Sequence, residues 1–243
     1  MLVTIYNPEF FNPSCIEEAK KIILTDEDIP DQWESETKWT MDFFREKNLF
    51  NEESIVLDWG CGIGRLSKPI IEEFNCKVVG VDFQPNMLKY AREYVNHPNF
   101  TAINNEEFFE LPDNYFTTGI AVWALQHAVH SNPIMTCIKK KLKFKSKFCV
   151  LESNIKSLPV VHVEADTVTS RDVLINVIAH ESEPFVGDWI ISSDHASAYD
   201  LVDYFSVEEI IPLSSEVDNI VLSNNFNGSW AGILINDRKY FYY

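Results

Sequence analysis

Residues 54–65 read Ser54-Ile55-Val56-Leu57-Asp58-Trp59-Gly60-Cys61-Gly62-Ile63-Gly64-Arg65. The apolar run has the length of a buried strand, and Arg65 to Phe74 takes up a helical period. Between them stands a turn with glycine at alternate positions. Such a turn lets the backbone come close to a ligand and presents N–H groups of the following helix to an electron-rich group. Only 8 glycines occur in 243 residues, and four of them fall between positions 60 and 80, so each marks a backbone constraint. A nucleotide or nucleoside ligand is implied.

Outward from this turn the same alternation continues. Lys77 to Asp82 reads as a second strand, and Pro85 to Val95 as a helix with proline in its first turn. Phe100 to Ile103, Gly119 to Val122 and Phe148 to Leu151 are strand-like, with a helix from about Asn132-Pro133 to Leu142 before the last. Strands separated by helices need crossover connections, which predicts an α/β fold: a Rossmann-like, doubly wound, mostly parallel sheet with helices on both faces.

The ends differ. Ser14 with Glu17 forms a capping box that predicts a helix over Cys15–Leu24, and Asp31 to Glu46 reads as a second helix beyond Pro30. Ser206-Val207-Glu208-Glu209 predicts a helix to about Ser214, followed by strands at Ile220–Leu222 and Ala231–Ile235 that pair as an antiparallel ending of the sheet. The period between Asn154 and Tyr204 does not resolve, which suggests a lid or insertion. The expected organisation is one domain over 1–243. It comprises a helical N-terminal cap (1–50), a binding core (51–153), an inserted acceptor-site segment (154–204) and a C-terminal helix with two strands (205–243).

Charge follows the same division. The chain carries 37 acidic and 20 basic side chains, a net −17; residues 1–50 hold −6, residues 51–149 are neutral and residues 150–243 hold −11. A surface built for a phosphate backbone would be basic, so no nucleic-acid partner is expected. No apolar run approaches a membrane span. The five cysteines include no Cys-x-x-Cys pair, and Met1-Leu2-Val3-Thr4-Ile5-Tyr6 lacks a basic stretch followed by an apolar one, so a reduced, cytoplasmic protein is expected.

Two ligand classes compete for the glycine turn. A dinucleotide fingerprint G-x-G-x-x-G would need its third glycine where Arg65 stands, which argues against a nicotinamide-dependent oxidoreductase. The observed G-x-G-x-G, with Asp58 two residues before Gly60, resembles the first motif of the class I S-adenosylmethionine-dependent methyltransferases. Asp82, 18 residues after Gly64, resembles the family's acid at the end of the second strand. Asn104-Asn105-Glu106-Glu107 is similar to the segment after the third strand, and Trp123-Ala124-Leu125-Gln126-His127 to the end of the fourth strand and its loop.

The resemblance implies S-adenosylmethionine as cofactor and assigns roles. Asp58 would orient the methionine amino group, with Gly60, Cys61 and Gly62 passing beside the methionyl moiety. Asp82 would hold the ribose hydroxyls, since a carboxylate offers two acceptor oxygens to a diol. Asn105 would bond the adenine amino group, Glu106 would follow with its N–H toward the ring, and Phe83 and Phe108 would pack on the ring faces. Trp123 would border the cofactor, and Trp33 or Trp39 would close over it.

Methyl transfer is a displacement at carbon, so catalysis rests on alignment, with a base needed only where the acceptor loses a proton. His127 is the candidate base, with a structural or cofactor-orienting role as its alternative. The reading is methyl transfer to an oxygen or nitrogen of a small molecule; the alternative is a noncatalytic cofactor-binding or scaffold protein. The Ala121-Val122-Trp123 run and the absence of a Pro-Cys pair exclude the two common base-methylating motifs. Lysines 139, 140, 141, 143, 145 and 147 read as a helix end and its solvated flank. His180-Glu181 and Asp194-His195 have no ligand spacing, so no metal is expected. The Tyr240–Tyr243 tail reads as an edge cover or an interface.

Overall fold

The computed structural model describes residues 2–24, 31–129, 131–153, 156–169, 185–186, 189–192, 204–213 and 229–237. In chain order these form β1 (Leu2–Tyr6), α1 (Ile16–Ile23), α2 (Gln32–Glu46), β2 (Ile55–Trp59), α3 (Ser67–Phe74) and β3 (Lys77–Val81). Next come α4 (Pro85–Val95), β4 (Phe100–Ile103), α5 (Asn105–Glu110), β5 (Phe116–Val122), α6 (Ser131–Lys141) and β6 (Leu142–Ser153). The remaining strands are β7 (Lys156–Glu164), β8 (Phe185–Val186), β9 (Trp189–Ser192), β10 (Ser206–Pro212) and β11 (Ser229–Ile235).

The main sheet has seven strands in the order β10-β11-β6-β5-β2-β3-β4, parallel from β6 to β4, with β11 antiparallel to both its neighbours. Successive residues of each inner strand serve opposite faces, as a sheet covered on both sides requires. Leu57, Phe148 and Val150 join a cluster with Phe108, Met135 and Trp230. Val56, Cys149 and Leu151 join another with Phe44, Ile70 and Ala231. From β2 the chain runs outward to β3 and β4, then returns to β5 on the other side, so the crevice opens at the carboxyl ends of β2 and β5.

Three expectations at the ends change. The segment at 206–214 is a strand: β10 pairs with β11, and a bulge between Val207 and Glu209 breaks the alternation that would have marked it. Glu208 and Glu209 answer Lys147 and Lys47 at 3.2 and 2.8 Å rather than capping a helix. The N-terminal cap is not wholly helical, because β1 pairs antiparallel with β7 from Leu2↔Glu164 to Tyr6↔Val160. β7 also pairs with β9, so the chain start and the insertion share a second sheet, β1-β7-β9-β8. At the first capping box, Ser14 bonds Glu18 through N–H and hydroxyl at 2.7 and 2.6 Å, and the helix begins one residue later, at Ile16.

The lysine run is structural in part: Lys139 Nζ donates to the Tyr204 carbonyl, and Lys141 Nζ to the Leu111 carbonyl and to Asp113. The strand expected at 220–222, both histidine–acid pairs and the tyrosine tail lie outside the described residues.

Candidate functional site

The turn after β2 is held in place before any ligand arrives. Gly60 and Cys61 N–H both donate to the Val81 carbonyl, at 2.8 and 3.0 Å. Gly60, Gly62 and Gly64 have φ of +72, +53 and +82°, a region where a Cβ is penalised. Space is a second constraint: a Cβ on Gly60 would lie 2.3 Å from Ala124 Cβ, and one on Gly62 would lie 2.7 Å from Ile23 Cδ1. The loop after β5 and the end of α1 therefore rest directly on the glycine turn. Cys61 contributes its backbone here; its thiol is buried among Leu88, Ala91 and Ala102, filling the space a side chain at Gly80 would need.

Asp82 sits at the tip of β3, half-buried. Its Oδ1 accepts the Gln84 N–H at 2.9 Å and its Oδ2 the Gly62 N–H at 3.0 Å, which leaves lone pairs on both oxygens for a diol. Asp58 is 3% exposed and accepts the Ser67 hydroxyl at 2.6 Å. Burial pushes both carboxyls up to about 6, against the N–H and hydroxyl donors that favour the ionised form. Arg65, 4% exposed, lies on the same side with its guanidinium over Trp33.

These groups border a single cavity of about 980 Å³. Its floor comprises Asp58, the glycine turn, Asp82, Asn105 and Trp123; its roof comprises Tyr6, Phe10 and Phe11 from the N-terminal segment and Ser157 from β7. That segment is tied down by α4 and the residue before it: the Gln84, Asn86 and Tyr90 side chains donate to the carbonyls of Pro8, Pro13 and Ser14. Phe83 is 42% exposed and meets Phe11 edge-on at 5.9 Å. Tyr6, half-buried near Asp82, has its phenol pushed up to about 12 by burial and by that carboxylate.

The loop after β5 is unusually constrained. Trp123 lines the cavity with φ +54°, an uncommon conformation for a bulky side chain. Behind it Glu152, fully buried, accepts the N–H of Leu125 at 2.6 Å and of Gln126 at 3.1 Å, and burial raises its carboxyl well above the usual range. Gln126 Oε1 accepts the Ser153 N–H at 3.2 Å, which turns its amide nitrogen toward His127 Nε2, also at 3.2 Å. A carbonyl can only accept, so the 2.7 Å contact with Ser157 O places a proton on His127 Nδ1. Burial lowers the imidazole's pKa and favours the neutral ring.

Thus Asp58, Gly60, Cys61, Gly62, Asp82, Phe83, Asn105, Trp123 and His127 all border one cavity. Others do not. Glu106 is exposed and off the cavity wall, and Asn104 and Glu107 form the capping box of α5. Phe108 is fully buried against Trp59 and Phe116 in the core. Trp39 stacks on Phe43 and is 46% exposed, and Trp33 packs on Tyr94, so neither lines the cavity. Gln32 and Glu36 occupy that wall of α2 instead. Arg65, Glu36, Gln126 and the roof aromatics were missed; only Arg65, next to the glycine turn, had a local signal. Among the described residues no acid beyond residue 149 lines the cavity, and no group of side chains forms a metal cluster.

A family profile described as a methyltransferase domain matches residues 50–204, more than half of the chain. The chain belongs to the class I S-adenosylmethionine-dependent methyltransferases. An uncharacterized methyltransferase of Schizosaccharomyces pombe is 29% identical over 118 residues, covering 46% of this chain and 44% of its own. A probable fatty acid methyltransferase of Pseudomonas putida is 28% identical over 102 residues, 40% of this chain and 26% of its own. The chain thus spans less than half the length of these curated relatives. Among solved structures, an Aquifex aeolicus S-adenosylmethionine-dependent methyltransferase superposes with a TM-score of 0.57 at 16% identity, over 90% of this chain and 97% of that one. A Haemonchus contortus phosphoethanolamine N-methyltransferase in complex with S-adenosylhomocysteine gives 0.50 at 21%, over 60% and 36%.

The cofactor of this family is S-adenosylmethionine, and the geometry fits it. The turn has no side chains at Gly60 and Gly62, Asp82 keeps free lone pairs that a diol would use, and Phe83 and Asn105 offer the cavity an apolar ring and a side-chain amide of the kind an adenine would need.

Proposed function

We propose that this chain transfers the methyl group of S-adenosylmethionine to an oxygen or nitrogen of a small-molecule acceptor. The observation that carries this reading is the extent of the cavity. At about 980 Å³ it stands at the top of the roughly 300–1,000 Å³ range of small-ligand pockets. That is room for the cofactor and a small acceptor together, beneath a roof contributed by both the chain start and the insertion. A noncatalytic binding protein would need no space beyond that of the cofactor. The bound cofactor supplies a methyl group on a sulfonium, already activated for displacement. What the chain's own residues add is alignment and exclusion of water.

Within that reading Asp58, Gly60, Gly62, Asp82, Phe83 and Asn105 hold the cofactor, and Trp123 forms the wall beside the reacting carbon. His127, with Nδ1 on Ser157 and Nε2 beside Gln126, acts by fixing the insertion to the β5 loop rather than by taking a proton. Small acceptors accord with the relatives: one is named for fatty acids, and the Haemonchus enzyme was solved with phosphomonomethylethanolamine. A cytoplasmic location is proposed on the five unpaired cysteines, and no helix among the described residues is long and apolar enough to cross a membrane.

Incubation with methyl-labelled cofactor and a cell extract fractionated by size tests the proposal. Label should enter the low-mass fraction. Label confined to protein or nucleic acid would overturn the acceptor class, and tight cofactor binding without any transfer would favour the noncatalytic alternative.

A further inference from the structure

The cavity beneath the roof is walled by aromatic rings. Tyr6, Phe10 and Phe11 come from the chain start, and Trp123 from the loop after β5. Phe11 is the centre of the group: its ring meets Phe10 at 5.3 Å, Phe83 at 5.9 Å and the His127 imidazole at 5.0 Å. The titratable groups beside these rings are already engaged. The Tyr6 hydroxyl donates to the His127 carbonyl at 3.4 Å, and burial keeps the phenol protonated. His127 gives its Nδ1 proton to Ser157 O, and its Nε2 lone pair faces the Gln126 amide nitrogen at 3.2 Å. Charge is the third property of the walls: among the described residues Glu36, Asp58 and Asp82 stand against Arg65, a net negative lining.

Three kinds of acceptor atom meet these walls differently. A carboxylate brings a further negative charge into a negative cavity. A hydroxyl loses its proton as the new bond forms and needs a base within hydrogen-bond reach, where His127 and Tyr6 are both engaged. A neutral amine brings its own lone pair. That pair forms the N–C bond, the C–S bond breaks with its electrons going to sulfur, and the positive charge passes from the sulfonium to the nitrogen. The cofactor leaves as S-adenosylhomocysteine, and the extra proton of a primary or secondary amine goes to water after release. Apolar walls favour the neutral, reactive form of the amine before transfer, and ring faces attract the cation that forms during it. We propose that the acceptor atom is a nitrogen, carried by a small amine whose developing charge is met by the rings of Tyr6, Phe10, Phe11 and Trp123. This deepens the proposed transfer to a small molecule and rests on it.

Cofactor carrying carbon-13 in its methyl group, incubated with the protein and the low-mass fraction of a cell extract, separates the two claims. In carbon NMR a methyl on nitrogen resonates apart from one on oxygen, and the labelled product should show the former. A labelled methyl on oxygen, carbon or sulfur would overturn the nitrogen assignment while leaving small-molecule transfer standing. No labelled low-mass product would remove that transfer and the proposal with it. The role of the rings is tested by calorimetry on protein loaded with S-adenosylhomocysteine, which leaves the methyl position open. Choline and its uncharged isostere 3,3-dimethylbutan-1-ol differ in the charge alone, and choline should bind about 2- to 30-fold more tightly, the scale of a cation over ring faces. Phe11→Leu keeps an apolar side chain and should lose most of that preference. Equal affinity of the two probes, binding of neither, or a preference that survives Phe11→Leu would overturn the ring assignment.

Discussion

Gly60→Ala tests whether the glycine turn and the loop after β5 are fitted to one another. The substitution meets two separate penalties. Gly60 has φ +72°, where an L-residue costs about 1–2 kcal/mol. The new Cβ would also stand 2.3 Å from Ala124 Cβ, so the loops must part, and overpacking of this kind costs about 1–3 kcal/mol. Together they predict a loss of about 2–5 kcal/mol from a total stability of about 5–15 kcal/mol, or roughly 5–20 °C in melting temperature for a chain of this size. Ala124→Gly removes the second penalty alone. In a double-mutant cycle read by urea denaturation, the pair should recover about 1–3 kcal/mol relative to the sum of the single variants, leaving the conformational cost of Gly60→Ala in place. Additivity within about 0.5 kcal/mol would show that the loops do not touch and would refute the packing of Ala124 on the turn.

Asp82→Ala should weaken S-adenosylhomocysteine binding by about 1.5–3 kcal/mol in calorimetry, because it removes both oxygens proposed to accept from the ribose; an unchanged affinity would contradict that proposal. Asp58 and Asp82 titrate near 6 when folded, above their unfolded values, so their ionisation destabilises the unliganded fold. The stability each lends is present at low pH and is lost as pH rises through about 6. Asp58→Asn should therefore raise the stability at pH 8 by up to about 3 kcal/mol, read as a higher melting temperature, while changing little below pH 4. Equal effects at both pH values would count against it. Glu152→Gln, which keeps an acceptor for Leu125 and Gln126, should cost less than about 1 kcal/mol, whereas Glu152→Leu orphans two N–H groups and should cost about 2–4 kcal/mol. The reverse order in chemical denaturation would show that the carboxyl is not the clamp.

The parts of the molecule legible in its sequence are those whose structure is decided locally. Val56 and Leu57, or Val150 and Leu151, are apolar in succession because helices cover both faces of the sheet, and Gly60 stands where no other residue fits. β10 was misread because Ser206 and Glu209 have the spacing of a capping box, and the bulge at Val207 hides the period of two. Its strand identity depends on β11 and on Lys47 and Lys147, none of them near in sequence. The pairing of β1 with β7 joins residues about 158 positions apart, as in the Thr4–His162 contact, and no local pattern announces it. The roof aromatics were invisible for the same reason.

Around the carboxyl ends of β2, β3 and β6 the protein buries or half-buries Asp58, Arg65, Asp82 and Glu152, a costly set to place in one region. They divide by how they are answered. Glu152 is held by two backbone N–H groups of the β5 loop, and it shapes that loop whether or not a ligand is present. Asp82 is half answered, by Gly62 and Gln84. Asp58 has one hydroxyl, and Arg65 has one long hydrogen bond and the face of Trp33. Of the charged groups that line the cavity, Asp58 and Arg65 are the most buried and have one hydrogen bond each within the protein, so part of the cost of burying them should return when a ligand with charged groups of its own enters. At equal ligand concentration, well above both dissociation constants, S-adenosylhomocysteine should then bind more tightly and raise the melting temperature more than 5′-methylthioadenosine, which lacks the amino-acid end, does. An equal rise would mean that these charges are neutralised before binding, and that the cavity recognises only the nucleoside.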